Sequence, residues 1–224
     1  MELKKIKIKN WLIFFAVLIV FLVFEIVFSF FIDFNDLTTT DTVLMVFTKY
    51  FVLITFFIAY YYDYFKEKWI DFIKNFKKYF SLSFKYWFTG FLIMYFANVI
   101  ITRFISGVGE NEETVQNLIG TIPFLSLLLT SVFAPFIEEM IFRKNLQDCF
   151  NNKTFYMITS GFLFGLVHVL GASDPLEYLL IIPYGAVGLF FAKTINETDN
   201  IYCTIMMHAL HNFALTMLSI MVNL

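Results

Sequence analysis

Two adjacent carboxylates and an arginine lie inside a stretch of sequence that is otherwise apolar. Glu138, Glu139 and Arg143 occur within the run APFIEEMIFR, residues 134–143. A charge near the centre of a bilayer costs about 2.5–3.5 kcal/mol on insertion scales, so three such groups close together need an explanation. On a helix, Glu139 and Arg143 share a face, which predicts an ion pair. Glu138 is rotated by about 100° and is left to face a polar pocket.

A carboxylate that is removed from bulk water can act as a general base near neutral pH. We therefore expect Glu138 to carry out acid–base chemistry while Arg143 compensates the charge of Glu139. The alternative is that both glutamates only neutralise Arg143 and Lys144 near the end of a membrane span.

Each of the three histidines, His168, His208 and His211, also lies in an apolar stretch. His168 follows Phe164 by four residues, so the two rings share a helix face. The midpoint between Glu138 and His168 is residue 153, at the end of a turn-like Asn-Asn-Lys. A hairpin centred there places the two side chains at one height, where a glutamate and a histidine can share a water molecule. A packing histidine is the alternative.

His208 and Asn212 are four residues apart and share a face of the last apolar stretch. An imidazole N–H and a side-chain amide, side by side, are suitable donors for a developing oxyanion. His211 is rotated by about 60° from His208, and we expect it to pack or to support the site.

The composition predicts which elements position these residues. The 224-residue chain is 59% hydrophobic, 21% aromatic and 15% charged, whereas soluble domains are nearer 45–50% apolar and 25% charged. We predict an all-α polytopic membrane protein with about seven transmembrane helices and no nucleic-acid partner. Six spans are predicted at residues 11–32, 43–62, 87–104, 154–170, 176–192 and 201–221, and another begins near residue 122 and carries the acidic motif.

The basic residues predict how these spans are oriented. Four lysines precede the first span, six lie between the second and third, three basic residues lie between the fourth and fifth, and one follows the sixth. This places 14 of the 16 basic residues on alternate loops. The positive-inside rule then predicts an integral plasma membrane protein with a cytoplasmic N-terminus, an outer C-terminus and a site that opens towards the cytoplasm.

Residues 63–85 carry apolar side chains at three- and four-residue steps, with lysines on the other face. This pattern predicts an amphipathic helix in the cytoplasmic headgroup layer. We divide the chain into an N-terminal membrane region, 1–118, with three spans, this helix and an outer loop, and a catalytic core, 119–224, with four spans. His168 reaches the depth of Glu138 only if the hairpin between the fourth and fifth spans projects into the cytoplasm. The fifth span would then be short on its outer side.

The three polar motifs resemble those of the CAAX-protease and bacteriocin-processing family of intramembrane proteases, also called the Abi family. The family motifs are EExxxR, FxxxH and HxxxN. In this sequence they are Glu138-Glu139-x-x-x-Arg143, Phe164-x-x-x-His168 and His208-x-x-x-Asn212, each complete and in the family order.

This resemblance implies a helical membrane fold with a conical cavity open to the cytoplasm, and a glutamate-type endopeptidase. Carried onto this sequence, Glu138 and His168 activate water, and His208 and Asn212 form the oxyanion hole. Supporting roles fall to Glu139, Arg143, Phe164 and His211. The implied substrate is a membrane-associated peptide or protein, as in CAAX processing or in bacteriocin or signal-peptide processing. A chain rich in Phe, Ile, Lys and Asn suggests a bacterial source, which argues against a prenylated substrate. We expect no cofactor and no metal.

Two other readings stay open at this stage. A zinc-dependent protease would use His168, His208 and Glu138 as its ligands, but the sequence has no HExxH motif and Asn212 would have no role. A non-catalytic bacteriocin self-immunity protein would bind a membrane peptide without cleaving it. A proton-coupled transporter is disfavoured, because the polar residues cluster towards one side of the membrane.

Overall fold

The computed structural model describes residues 2–28, 39–105 and 109–223, and the regular structure in these ranges is helical. The helices are α1 Glu2–Phe28, α2 Thr39–Tyr60, α3 Tyr62–Lys74, α4 Phe76–Ile101, α5 Glu110–Thr121, α6 Pro123–Leu128, α7 Ala134–Glu139, α8 Lys153–Val167, α9 Ile181–Thr198 and α10 Ile201–Asn223. Two π-helical segments, Leu129–Phe133 and Met140–Asn145, lie on either side of α7, and a 3-10 helix, Pro175–Leu180, precedes α9.

The predicted all-α polytopic membrane fold is confirmed. Among the described residues, six stretches of helix are long and apolar enough to cross a membrane: Lys7–Phe24, Asp41–Tyr60, Phe76–Ile101, Pro123–Asn145, Pro175–Thr198 and Ile201–Val222. We call Pro123–Asn145 the fourth span. Helix α8 is apolar but has only 15 residues, so it is about 22 Å long and shorter than the ~30 Å hydrocarbon core. The predicted fifth span is therefore short, and it ends at Val167, just before His168.

The bounds predicted for the amphipathic helix, residues 63–85, are wrong. Helix α3 ends at Lys74, and the second half of the predicted helix forms the first turns of α4. Asn75 separates the two helices with φ −108° and ψ 15°. Its side-chain amide donates to the backbone carbonyl of Asp71 at 3.1 Å and to Oδ1 of Asp71 at 2.8 Å. A side chain that bonds nearby backbone competes with the helical ladder, so the chain can turn here.

The predicted outer loop before the fourth span contains helix α5, which the sequence analysis missed. Gln116 joins this helix to its surroundings: its amide donates to Glu112 at 2.6 Å, and its carbonyl oxygen accepts from the Ser219 hydroxyl of α10 at 2.7 Å. The predicted division between residues 118 and 119 falls inside α5. The predicted end of the first span, residues 29–32, lies outside the described residues.

The largest apolar core joins the first two helices to the spans that carry the motifs. Phe14 of α1 and Phe57 of α2 are buried together with Ile137 and Phe142 of the fourth span and Phe164 of α8. The N-terminal region is therefore part of the packing that supports the motifs. The division into two domains stays a prediction.

Hydroxyl groups of α8 bond to carbonyls of the second π-helical segment. Ser160 Oγ donates to the Phe142 carbonyl at 2.7 Å, and Tyr156 Oη donates to the Arg143 carbonyl at 3.1 Å. A π-helical turn disturbs the regular ladder, and carbonyls buried in this way need other partners. These two bonds fix the height of α8 against the acidic motif.

Helices α8 and α9 pack with their backbones in contact. A Cβ atom at Gly165 would lie 2.5 Å from the Ile181 carbonyl oxygen, and one at Gly161 would lie 2.8 Å from that of Gly185. Small residues allow such close approach between helices in membranes. The close contact brings the aromatic side chains of α9 against the motif residues of α8.

The four segments predicted to be cytoplasmic meet at one end of the bundle, which we call the basic end. Asn10 of α1 donates to the Asp148 carbonyl at 2.8 Å, and the Tyr61 hydroxyl donates to Asp148 Oδ2 at 3.0 Å. Lys68 of α3 bonds to Asp199 between α9 and α10 at 2.6 Å. These contacts agree with the alternation of charge along the sequence.

Candidate active site

Glu139 forms the buried link between two of the three motifs. Arg143 Nε lies 3.1 Å from Glu139 Oε2, and both side chains are fully buried, in the spacing from which the ion pair was predicted. The other carboxylate oxygen, Oε1, lies 2.8 Å from Nδ1 of His208. An ionised carboxylate only accepts hydrogen bonds. Nδ1 therefore carries the hydrogen, and Nε2 is the remaining ring nitrogen of His208.

Glu138 faces the same imidazole from the other side. Its side chain is 16% exposed, and Oε2 lies 3.7 Å from Nε2 of His208. That separation is too long for a hydrogen bond, so the contact is electrostatic. His208 thus lies between two carboxylates, one buried and fixed by Arg143 and the other partly accessible. The helix spacing predicted this difference between the two glutamates but not their contacts with His208.

The ring of Phe164 lies at the centre of the site. The guanidinium carbon of Arg143 is 4.3 Å from the Phe164 ring centroid and 5.6 Å from that of Phe191. A desolvated cation–π contact is worth about 2 kcal/mol. The same Phe164 ring lies 4.5 Å from the His168 ring and 5.7 Å from the His208 ring. Phe164 therefore holds the arginine and separates the two imidazoles.

His168 caps the C-terminal end of α8. Its Nδ1 lies 2.7 Å from the Phe164 carbonyl oxygen. Because a carbonyl oxygen only accepts, Nδ1 carries the hydrogen and Nε2 is left as an acceptor. The ring stacks on Tyr184 of α9 at 4.5 Å and 23°. Glu138 and His208 both lie within electrostatic range of His168.

Asn212 and His211 point in different directions from α10. The Asn212 amide donates to the Thr130 carbonyl of the fourth span at 2.9 Å. His211 Nδ1 accepts from the Trp87 indole N–H at 3.3 Å, and its ring also contacts Phe91 of α4. His211 therefore packs against α4, and its supporting role in the site stays a prediction.

Two cavities lie near these residues. A cleft of about 350 Å³ at the basic end is mainly apolar and is lined by Ile58, Tyr62, Phe65, Lys66, Trp69, Phe136 and Tyr202. Phe136 precedes Glu138 by two residues. A smaller cavity of about 170 Å³ is lined by Thr114, Val167, His168, Val169, Gly171, Ala172 and Glu177. Its walls come from α5, the end of α8, the segment that follows α8 and the 3-10 helix.

The zinc alternative needs three protein ligands around one point. Within the part of the chain that the structure describes, no three side chains of His, Cys, Asp or Glu form a group that could hold a metal ion. His208 uses Nδ1 for Glu139, and His168 uses Nδ1 for a backbone carbonyl. These hydrogen bonds orient the two rings, an arrangement that metal-binding histidines share, so they do not by themselves decide between the two mechanisms.

The sequence analysis did not identify three residues that complete the site. Tyr184 and Phe191 of α9 contact His168, His208 and Arg143. Thr130 contributes only a backbone carbonyl, so its residue type gave no signal. The small residues of α8 and α9 could have indicated that these two helices pack closely, which would have placed the aromatic residues of α9 beside the motifs.

Comparisons with known proteins match the region that carries the motifs. Residues 120–214 match the family model described as "Type II CAAX prenyl endopeptidase Rce1-like". All three motifs lie inside this range. No solved structure matches the chain.

Two curated relatives are similar to this chain. "Putative membrane peptidase YdiL" of Bacillus subtilis (strain 168) is 31% identical over 141 residues, which are 59% of this chain and 54% of that protein. The match therefore spans about half the length of that relative. "UPF0177 protein YbdI" of Lactococcus lactis subsp. lactis (strain IL1403) is 26% identical over 157 residues, 66% of this chain and 83% of that protein.

The family resemblance that rests on three short motifs thus agrees with a match over the whole of the surrounding region. Residues 120–214 of this integral membrane protein are similar to the Rce1-like CAAX prenyl endopeptidase family.

Proposed function

We propose that this protein is an intramembrane endopeptidase that hydrolyses a peptide bond of a membrane-associated peptide or protein. The observation that carries the proposal is the arrangement around the Phe164 ring, where Glu138, His168 and His208 gather from three separate helices. Polar and ionisable residues inside a membrane are costly and mark functional sites. The family match at residues 120–214 and the similarity to the putative membrane peptidase of Bacillus subtilis support a peptidase.

In the proposed reaction, Glu138 and His168 activate a water molecule. Glu138 is the partly accessible carboxylate, and His168 Nε2 is an acceptor because Nδ1 donates to the Phe164 carbonyl. The water oxygen forms a bond to the scissile carbonyl carbon while its proton passes to Glu138. When the carbon–nitrogen bond breaks, the protonated group returns that proton to the leaving amine.

His208 and Asn212 stabilise the oxyanion in this proposal. Both lie on one face of α10, and each has one side fixed by a hydrogen bond, His208 by Glu139 and Asn212 by Thr130. For His208 to donate from Nε2 it must carry hydrogens on both ring nitrogens. Removing one donor from an oxyanion hole typically lowers kcat by about 10²–10³.

Glu139, Arg143 and Phe164 support these groups without contacting the substrate. Arg143 neutralises Glu139, Phe164 covers the guanidinium group, and Glu139 orients His208. These contacts explain why each residue type is needed. An uncharged residue in place of Glu139 or Arg143 would leave the other charge buried without a partner, and a smaller residue in place of Phe164 would uncover the guanidinium group.

We further propose that the substrate reaches the site from the cytoplasmic side. The apolar cleft lies at the basic end, between α2, α3, the fourth span and α10, and the positive-inside rule places this end in the cytoplasm. Its aromatic walls fit an apolar segment that is already in the membrane. Lys66 lies at the same cleft and offers a positive charge to a peptide carboxylate.

The test is a comparison of peptide termini in cells that carry the wild-type protein or Glu138→Ala. Glu197→Ala, which removes an exposed carboxylate from the last turns of α9, is the matched control. We expect at least one terminal fragment, in membranes or medium, that is present with the wild type and with Glu197→Ala and absent with Glu138→Ala.

The same experiment separates the competing functions. If the three strains have identical fragments and an associated immunity phenotype survives Glu138→Ala, the protein binds peptides without cleaving them. If fragments depend on Glu138 but disappear when zinc is removed, the zinc-dependent mechanism replaces the one proposed here.

A further inference from the structure

In the fourth span, the helical ladder provides no donor for the carbonyl of Thr130. The segment Leu129–Phe133 is π-helical, and the Ala134 N–H donates to the Leu129 carbonyl, five residues earlier. The next bond of this register would join the N–H of residue 135 to the carbonyl of Thr130. Residue 135 is proline, which has no N–H. Pro135 therefore interrupts the ladder at Thr130.

The Thr130 carbonyl accepts instead from a motif residue on another helix. The Asn212 side-chain amide donates to it at 2.9 Å. One turn further along α10, the Thr216 hydroxyl lies 3.0 Å from the Thr130 hydroxyl, which in turn donates to the Ser126 carbonyl at 2.8 Å. Two adjacent bonds thus join α10 to the π-helical segment. Only the bond from Asn212 uses the backbone carbonyl that Pro135 leaves without a donor.

We propose that Pro135 is a positioning residue for the Asn212 amide. By removing one backbone N–H, it leaves the Thr130 carbonyl available, and this carbonyl orients the amide so that the second N–H can serve the oxyanion. The inference rests on the proposed function of Asn212, but the hydrogen bond itself can be tested without a substrate.

The perturbation is Pro135→Ala. Alanine restores an N–H three residues before Glu138, where it competes with the Asn212 amide for the Thr130 carbonyl or lets the segment return to α-helical spacing. In either case Asn212 loses its fixed acceptor. Thr216→Val is the matched control, because it removes the neighbouring bond between the same two segments and keeps the one to Asn212.

The first measurement is NMR of the side-chain amide groups in protein selectively labelled with ¹⁵N-asparagine and held in lipid nanodiscs. The resonances of Asn212 are assigned by their loss in Asn212→Ala. We expect two well-separated amide proton signals in the wild type and in Thr216→Val, one of them displaced downfield by its hydrogen bond. In Pro135→Ala we expect the downfield signal to be lost. An unchanged Asn212 spectrum in Pro135→Ala overturns the inference.

The second measurement is kinetic, with the peptide whose cleavage depends on Glu138. We expect Pro135→Ala to lower kcat about 10- to 100-fold and to change KM less than about twofold, because the affected donor acts in the transition state. In an Asn212→Ala background, Pro135→Ala should change kcat less than about twofold. Equal losses in both backgrounds would mean that Pro135 acts through folding alone and would overturn the positioning role.

The two measurements distinguish the inference from the function on which it rests. If the Asn212 amide signal moves in Pro135→Ala but neither the wild type nor any variant cleaves a peptide, the proposed endopeptidase function is wrong and the role of Pro135 stands. If the wild type cleaves and the amide signal does not move, only the role of Pro135 fails.

Discussion

The burial of Arg143 predicts a large loss of stability when its charge is removed. The Arg143→Met substitution keeps the unbranched apolar stem, removes the guanidinium group and leaves Glu139 as an uncompensated buried carboxylate. At the observed separation of 3.1 Å, the Coulomb attraction at an effective dielectric constant of about 20 is about 5 kcal/mol. Breaking a buried pair by removing one partner costs about 3–5 kcal/mol. We therefore expect the free energy of unfolding to fall by about 3–5 kcal/mol.

The next residue provides a matched control. Lys144 also forms an ion pair four residues away along the chain, with Asp148 at 2.7 Å, but these side chains are 14% and 28% exposed. Partly exposed pairs of this kind contribute about 0–1 kcal/mol. Lys144→Met should therefore change stability by no more than about 1 kcal/mol, although it removes the same charge from the adjacent position. Both variants are measured by sodium dodecyl sulfate titration in mixed micelles, followed by tryptophan fluorescence.

A third variant tests the reason for the loss. In Glu139→Gln/Arg143→Met both buried charges are absent, so part of the lost stability should return. Glu139→Gln is measured alone as well. If Arg143→Met costs no more than Lys144→Met, or if the double variant loses as much stability as Glu139→Gln and Arg143→Met lose together when measured singly, the buried ion pair does not stabilise this core.

Three other predictions follow from the structure. Gly165→Leu should destabilise the protein by more than about 2 kcal/mol, because its Cβ would lie 2.5 Å from a backbone oxygen of α9. Its control is Gly120→Ala, which places no atom within 4 Å of the added Cβ and should keep or raise the melting temperature. The pKa of the Asp71 carboxyl is held below its ordinary value, first by the hydrogen bond that the Tyr79 hydroxyl donates. Tyr79→Phe should therefore lower the free energy of unfolding by about 1 kcal/mol at pH 7. This stability difference from the wild type should shrink below about pH 4 and vanish below the lowered pKa of Asp71. Thermal unfolding over a pH series measures it. Peptide cleavage should survive 1,10-phenanthroline; loss of cleavage that zinc restores would favour a metalloprotease.

Much of the site could be predicted from the sequence because helical spacing is regular. The four-residue step from Glu139 to Arg143 predicted their ion pair, and the rotation between the two glutamates predicted that only Glu138 is accessible. The alternation of basic loops predicted which segments meet at one end of the bundle. These inferences depend on local geometry and on charge, both of which can be read from a single chain.

The height of His168 could be predicted only in part. The hairpin argument assumed a turn centred on residue 153, whereas the bonds from Ser160 to Phe142 and from Tyr156 to Arg143 place the centre near residue 150. A centre at residues 150–151 places Glu138 opposite residues 162–164 rather than opposite His168, which is about one to two helical turns further out. The turn is asymmetric because the fourth span continues as a π-helix to Asn145 while α8 begins at Lys153.

Contacts that involve backbone atoms or distant helices could not be predicted. The bond from Glu139 to His208 joins residues 69 positions apart, and no periodicity within one helix encodes such a distance. A regular 3.6-residue pattern also gives no sign of the π-helical segments, although Pro135 marks a place where the hydrogen-bond ladder must break. Helix α5 has a polar sequence that we assigned to a loop, and it is held in place by Ser219 of α10.

The central claim is that Glu138 activates the water that cleaves the peptide bond. The most direct measurement uses purified protein in nanodiscs, the peptide whose cleavage in cells depends on Glu138, and water enriched in ¹⁸O. With the wild type we predict one ¹⁸O atom in the new C-terminal carboxylate, and with Glu138→Gln a rate at least about 10³-fold lower at unchanged thermal stability. A Glu138→Gln protein that cleaves at the wild-type rate, or a product without ¹⁸O, would contradict the account.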